Sequence, residues 1–399
     1  MTANRRPGPS GRGTILLLAA VAALGSLATQ LLVPALPAIA RDLHAGVADT
    51  QLVIAVFLVG LGSGQLLTGP LADRIGRKPV LLGGLLLYCA GSLLAAFAPS
   101  LPLLLVARGA QALGASAGVV TARVLVGDLF PPEETAARQA TLMGVVLVSP
   151  ALAPVIGGQL TEWAGWRIVF AMLAVCGIAG AVLVATVLPL SARAQPTGAD
   201  DAPGLVSAYR GLFRNRGFLA ATVAIAGNSA ALYMFLGTVP FLLSHVHGLS
   251  PREVGQCLMI VALASIGGTF LVGRVDRHGH ALIAGTTTAA AGALAMLGLA
   301  LCGVSSIAAV IGPLTLLGFG AGMTGPAGIT RVIRAEPRFS ATAASLAGAT
   351  QMLTSALGAS LLGHFAPVDA TRLAWGLAPA ALIAVLAATL SKNRANKSM

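Results

Sequence analysis

The chain is 399 residues long, 56% hydrophobic and only 10% charged, against about 25% charged in an ordinary soluble domain. Water is therefore excluded as the solvent for most of it. The net charge of +12 invites a nucleic-acid partner, but the placement of the basic residues gives them a different one.

Arg5, Arg6 and Arg12 precede the first apolar run, a pattern that a secretory signal shares. Eleven further runs make it a membrane span instead. The twelve runs fall near residues 14–36, 48–72, 79–98, 101–127, 135–160, 166–189, 218–243, 251–273, 279–302, 304–331, 340–363 and 370–391, each long enough for a hydrocarbon core of about 30 Å. Only helices and closed barrels satisfy every backbone polar group in lipid, and alternating ten-residue strands are absent. The predicted fold class is an all-α membrane protein with twelve transmembrane helices.

Between Ser191 and Gly217 the apolar pattern stops, and Pro196, Gly198, Asp200, Asp201, Pro203 and Gly204 precede a basic stretch from Arg210 to Arg216. This divides the chain into a tail (1–13), a six-helix bundle (14–189), a linker (190–217), a second six-helix bundle (218–391) and a tail (392–399). Internal repetition supports the division. Asp73, Arg74, Ile75, Gly76 recurs as Asp276, Arg277, His278, Gly279, an offset of 203, and Gly114 and Gly118 find Gly318 and Gly322 at an offset of 204. Duplication predicts two pseudo-symmetric bundles with a substrate site at their interface.

Counting from the first tail, the segments on one side of the membrane hold 20 of the 25 Lys and Arg. The opposite side holds Arg41, Arg167, Arg252 and Arg372, and Arg108 falls within a run. Such a bias orients insertion, so both termini are expected in the cytoplasm. The lipid bilayer, not nucleic acid, accounts for the basic residues. Cys89, Cys176, Cys257 and Cys302 lie in different runs, without metal-site or disulfide spacing, and no metal site is expected.

Three stretches carry the functional reading. Gly69, Pro70, Leu71, Ala72, Asp73, Arg74, Ile75, Gly76, Arg77, Lys78 joins the second and third runs. Its glycines permit a tight turn, and Asp73 sits where a carboxylate can meet a helix N-terminus or an arginine. In the fifth run, Gly144, Ser149, Pro150, Pro154, Gly157 and Gly158 combine helix-bending prolines on one face with glycines that admit close helix approach. Arg108, with Gln111 one turn on, is an intramembrane cation expected to face a watery cavity with a partner. Gln30 lies at a similar depth.

The Gly69–Lys78 stretch resembles the signature loop of the major facilitator superfamily. The strings around Pro34–Pro37, Arg108–Gly114 and Gly144–Gly158, followed by Trp166, Arg167 and Phe170, resemble its drug:proton antiporter branch, nearest to the bicyclomycin and chloramphenicol resistance group. The resemblance implies a bacterial cell-membrane protein, a monomer that is no enzyme and uses no cofactor, exporting small drug-like molecules by alternating access at the expense of a proton gradient. It makes Gly69, Asp73, Arg74, Gly76 and Arg77, with Asp276 and Arg277, a conformational latch, and Gly144, Pro150, Pro154, Gly157 and Gly158 an antiporter motif that seals the path between halves. Gln30, Phe57, Gln65, Arg108, Gln111, Asn228, Tyr233, Gln256 and Gln351 are the polar or aromatic residues expected to line the substrate cavity.

One departure stands out. Relatives in that group carry an acid four residues before the proline of the first span, where this chain has Gln30. None of the 13 acids falls in mid-span, so neutral or anionic substrates are favoured over cations. Proton coupling then falls to Asp128 or Asp49, or to protonation of the substrate; Asp128 can equally be structural, paired with Arg123 or the signature loop. The alternative function is a facilitator of an endogenous metabolite. A membrane enzyme would need paired acids, a nucleophile with its base, or metal ligands at bilayer depth, and none is visible.

Overall fold

A computed structural model describes residues 11–188, 205–276, 280–335, 339–362 and 369–395. These form fourteen α-helices and one 3-10 turn, and among the described residues there is no strand. The first half comprises α1 (Gly11–Gln30), α2 (Leu36–Asp42), α3 (Val47–Ile75), α4 (Arg77–Ala96), α5 (Leu101–Leu129), α6 (Pro132–Ala164) and α7 (Arg167–Val187). The second comprises α8 (Leu205–Arg214), α9 (Arg216–His245), α10 (Pro251–Val275), α11 (Ala281–Leu301), α12 (Ile307–Ala335), α13 (Ser340–Leu361) and α14 (Ala370–Ala395).

Eleven membrane-crossing elements are long and apolar enough on composition alone, with α1 and α2 counted as one. The twelfth predicted span is α13, whose 22 residues are diluted by Ser, Thr and Gln. It packs between α3 of the first half and α9 of its own. The first span is broken because Pro34 and Pro37 lack the N–H that a continuous helix needs. A 3-10 turn, Val33–Ala35, bridges the break.

Two boundaries differ from expectation. The segment expected as linker contains α8, whose Leu212 is buried beneath α9, α12 and α13. Its apolar residues fall on one face of an otherwise polar helix, so a search for continuous apolar runs passes over it. At the other boundary α6 is 33 residues long, about 50 Å at 1.5 Å per residue, and extends past the apolar core at both ends.

The halves repeat, and the glycines of α5 and α12 pair at a different offset from the 204 that the sequence suggested. A Cβ on Gly114 would meet Tyr88 N and Gly84 O, and one on Gly320 would meet Ala289 N and Gly285 O. Gly91 lies under Gln111 N and Ala107 O, as Gly292 lies under Leu317 N and Pro313 O. Thus α4 maps to α11 with 285 − 84 = 201, and α5 to α12 with 320 − 114 = 206. The glycines first paired, Gly318 and Gly322, face α10 instead, against Val261 and Ser265. On the 206 offset Arg108 and Gln111 correspond to Leu314 and Leu317, both buried.

Two seams join the halves, α3 against α13 and α6 against α10. Met352 of α13 packs against the cores of both halves. The second core also takes in Val33, Leu36, Ile54 and Leu58 from the first half, all toward the end opposite the termini, called here the far end.

Candidate functional site

The buried polar centre of the first half is built on α5. Arg108 is fully buried, with no carboxylate among its hydrogen-bond partners. Its Nε donates to Val53 O at 3.1 Å, and its Nη1 donates to Ala28 O at 3.2 Å and to Gln111 Oε1 at 2.5 Å. The guanidinium carbon lies 4.0 Å from the Phe57 ring centroid and 5.9 Å from that of Phe170, close enough for cation–π attraction. Gln111 Nε2 passes the network on to Ser92 Oγ at 2.8 Å.

The broken first span supplies one of these acceptors. Leu32 N donates to Thr29 O rather than to Ala28 O, because the chain tightens into the 3-10 turn ahead of Pro34. Ala28 O is left without its helical donor, and Arg108 fills the place. The arginine thereby ties together α1, α3, α4 and α7. Neutral acceptors and aromatic faces disperse a charge that would otherwise be prohibitive at this depth, while Nη2 stays buried without a partner.

This corrects the expectation that Arg108 faces water. Arg108, Gln111 and Phe57 are enclosed within the first half, because backbone carbonyls take the donors that a cavity would have hydrated. Gln30 is half-buried and is not among the hydrogen-bond partners of Arg108. Gln65 and Tyr233 are also half-buried, and Gln256 is exposed on α10 rather than enclosed. In the second half Asn228 is buried with Oδ1 unpartnered, next to Ser229, whose hydroxyl accepts from Gln351 Nε2 at 2.7 Å. The nine residues thus form two separate clusters and a scatter, not one continuous surface.

At the far end the halves are closed on each other. Gln51 Nε2 donates to Gly237 O at 3.1 Å and Thr238 Oγ1 at 3.3 Å. Glu162 Oε2 accepts from Arg252 N at 3.2 Å. A Cβ on Gly158 would collide with Pro251 O, one on Gly255 with Pro154 O, and one on Gly157 with Leu31 O. Pro150 is half-buried, and Gly144 has nothing within 4 Å of its Cβ position. Beside this seal, Asp42 accepts from Trp166 Nε1 at 3.1 Å and pairs with Arg167, tying α2 to α7.

No such close contact holds four glycines nearer the termini. Gly69 on α3, Gly144 on α6, Gly273 on α10 and Gly348 on α13 all have open space where a Cβ would stand, whereas Gly62, midway along α3, is tight against Met352. Asp73 and Arg74 are exposed, and Asp73 is in no ion pair among the described residues. Arg77 pairs with Asp128 within the first half, so Asp128 has the loop partner that one of its two readings required. Lys78 Nζ donates to Ala185 O at 2.9 Å and to Leu188 O, capping α7. Gly76 turns the chain at φ +96°, a conformation that only glycine adopts freely. Asp276 is half-buried, Arg277 lies outside the described residues, and Asp49 is exposed in the first turn of α3.

Residues 18–393 match the family model described as Major Facilitator Superfamily. The chain belongs to that superfamily. Multidrug resistance protein D of Escherichia coli K12 is 31% identical over 355 residues, covering 87% of each chain. The chloramphenicol resistance protein of Pseudomonas aeruginosa is 31% identical over 311 residues, 77% of this chain and 73% of that one. Among solved structures, a bacterial homologue of the human lysosomal transporter Spinster superposes with a TM-score of 0.77 at 18% identity, over 96% of this chain and 97% of that one. The xylose transporter of E. coli gives 0.70 at 16% identity, over 94% and 97%. At such identity these two speak to the fold alone.

As a member of the superfamily the chain is a multi-pass membrane transporter, and the signature loop lies at the opposite end from Gly157 and Gly158 of α6. Sequence reasoning missed Gln51, Glu162 and Met352. Glu162 had a signal: it lies four residues after Gly158 and so shares its face. Gln51 and Met352 carry no pattern of their own, since contact between halves leaves no periodicity in either one.

Proposed function

We propose that this protein is a secondary active multidrug exporter, moving small drug-like molecules of the chloramphenicol type by alternating access in exchange for protons. The observation that carries the reading is the opposition of the two ends: α3 is closed on α9 by Gln51, and α6 on α10 by Glu162, Gly158 and Gly255, at one end, while the Cβ positions of Gly69, Gly144, Gly273 and Gly348 have no neighbour at the other. A pathway shut on one side and open on the other is what alternation requires, and the names of the relatives supply the class of substrate. The termini end, rich in Arg and Lys, is the cytoplasmic one, so the open side receives drug from the cell. No cofactor enters; a monomer driven by the proton gradient suffices.

No carboxylate lies in mid-span, so the pocket has nothing to neutralise a lipophilic cation, and neutral compounds are the preferred cargo. The same fact favours a second reading, an uncoupled facilitator of a metabolite, since Gln30 holds a place where the resemblance implies an acid. Expression in a pump-deficient bacterium separates the two. Drug export gives resistance to chloramphenicol or bicyclomycin that a protonophore abolishes; unchanged susceptibility despite membrane expression moves the assignment to the metabolite facilitator.

A further inference from the structure

The first turn of α10 satisfies all but one of its amide donors from within. Pro251 has no N–H, Glu253 N donates to Ser250 Oγ at 3.3 Å, and Val254 N donates to Ser250 O at 3.0 Å. The Glu253 carboxylate returns to Ser250 N at 2.9 Å, completing a capping box. Arg252 N–H is left over, and its acceptor is Glu162 Oε2, on α6 of the other half. One turn before Glu162, Gly158 lies against Pro251 O and Arg252 Cα, while Gly255 lies against Pro154 O and Val155 Cα. Backbone meets backbone at these two glycines, so the register that brings the carboxylate to the positive end of α10 is fixed.

We propose that Glu162 is a positioning residue for transport, a latch whose carboxylate completes the N-terminus of α10 only while the far end is shut. Opening that end withdraws an acceptor from Arg252 N–H and an anion from the helix terminus, so Glu162 biases the cycle toward the far-closed conformation. Asp73 is disengaged and exposed at the other end in the same structure. A carboxylate is thus engaged at the closed end and free at the open one. This latch rests on the alternating-access reading above.

The test uses the full chain in proteoliposomes, in a background lacking Cys89, Cys176, Cys257 and Cys302. Spin labels are placed at Phe97 and Val246, which are 79% and 55% exposed at the far end of the two halves. Distance distributions are recorded with chloramphenicol and an imposed proton gradient for the parent and for E162Q, E162A and E162K. The latch orders the far-closed fraction as Glu, Gln, Ala, Lys, with E162A raising the open-to-closed ratio roughly three- to ten-fold. A role in packing alone would leave Gln and Lys close to Glu, and that result overturns the proposal, as do populations identical across the series. If E162K does not fold, the comparison of Gln with Ala decides. A parent that never opens at the far end overturns alternating access itself and the latch with it; a parent that opens, with variants indistinguishable from it, overturns only the latch.

Discussion

The Arg108 guanidinium bonds to Ala28 O at 3.2 Å, a carbonyl left open because the first span breaks ahead of Pro34. A charge on α5 and a proline on the first span are therefore one structural device. The arginine braces the broken segment, and that segment contributes Val33 and Leu36 to the contact with the second half.

R108A leaves Ala28 O and Gln111 Oε1 without donors in a dry interior, together with a cavity, and should destabilise the protein by about 3 kcal/mol or more. The double change R108L/Q111L copies Leu314 and Leu317 of the other half and should recover the part of that loss due to the cavity and to Gln111, with Ala28 O still lacking a donor, and drug export should stay impaired because the brace on the broken span is gone. Thermal unfolding in detergent, set beside susceptibility of the host, separates the two effects. Full export by the double variant would make Arg108 a packing residue only.

G158A should hinder far-end closure, since its Cβ would meet Pro251 O and backbone cannot swing aside as a side chain can. A cysteine at Leu58, which is 1% exposed, reports the change in a background without native cysteines. It should resist a membrane-impermeant thiol reagent in the parent and react at least several-fold faster in G158A.

D73N should insert and fold normally, within about 0.5 kcal/mol of the parent, as an exposed unpaired side chain permits. Transport should fall, because the loop is needed when the termini end closes. D128N, which breaks the pair with Arg77, should lower the melting temperature measurably. Normal transport by D73N would remove the latch role from the loop.

Competition between a neutral drug and a cationic dye of similar size should favour the neutral one, for want of a mid-span carboxylate. Preferential export of the dye, followed by fluorescence in inverted vesicles, would contradict a pathway without a mid-span carboxylate.

Much of this architecture was legible from the chain. Apolar runs located the spans, since lipid demands about twenty such residues per crossing, and the Gly69–Lys78 stretch declared its own turn. The offset between the halves was not legible: abundant glycine offers many alignments, and it took the contacts of Gly114 and Gly320, with those of Gly91 and Gly292, to choose 206 for α5 and α12. The surroundings of Arg108 were misjudged because a sequence shows that a charge is buried but not that Ala28 and Val53 lend it their carbonyls. Gln51 and Glu162 act across the halves, and a one-dimensional pattern holds no information about that contact.

Cross-linking the far end tests alternation most directly. Cysteines replacing Gln51 and Thr238, whose side chains meet across the halves at 3.3 Å, are oxidised in a background without native cysteines, and chloramphenicol uptake into inverted vesicles is measured before and after reduction. Alternating access predicts that the oxidised protein transports nothing and that a reductant restores uptake. Undiminished uptake with the far end locked shut would contradict it.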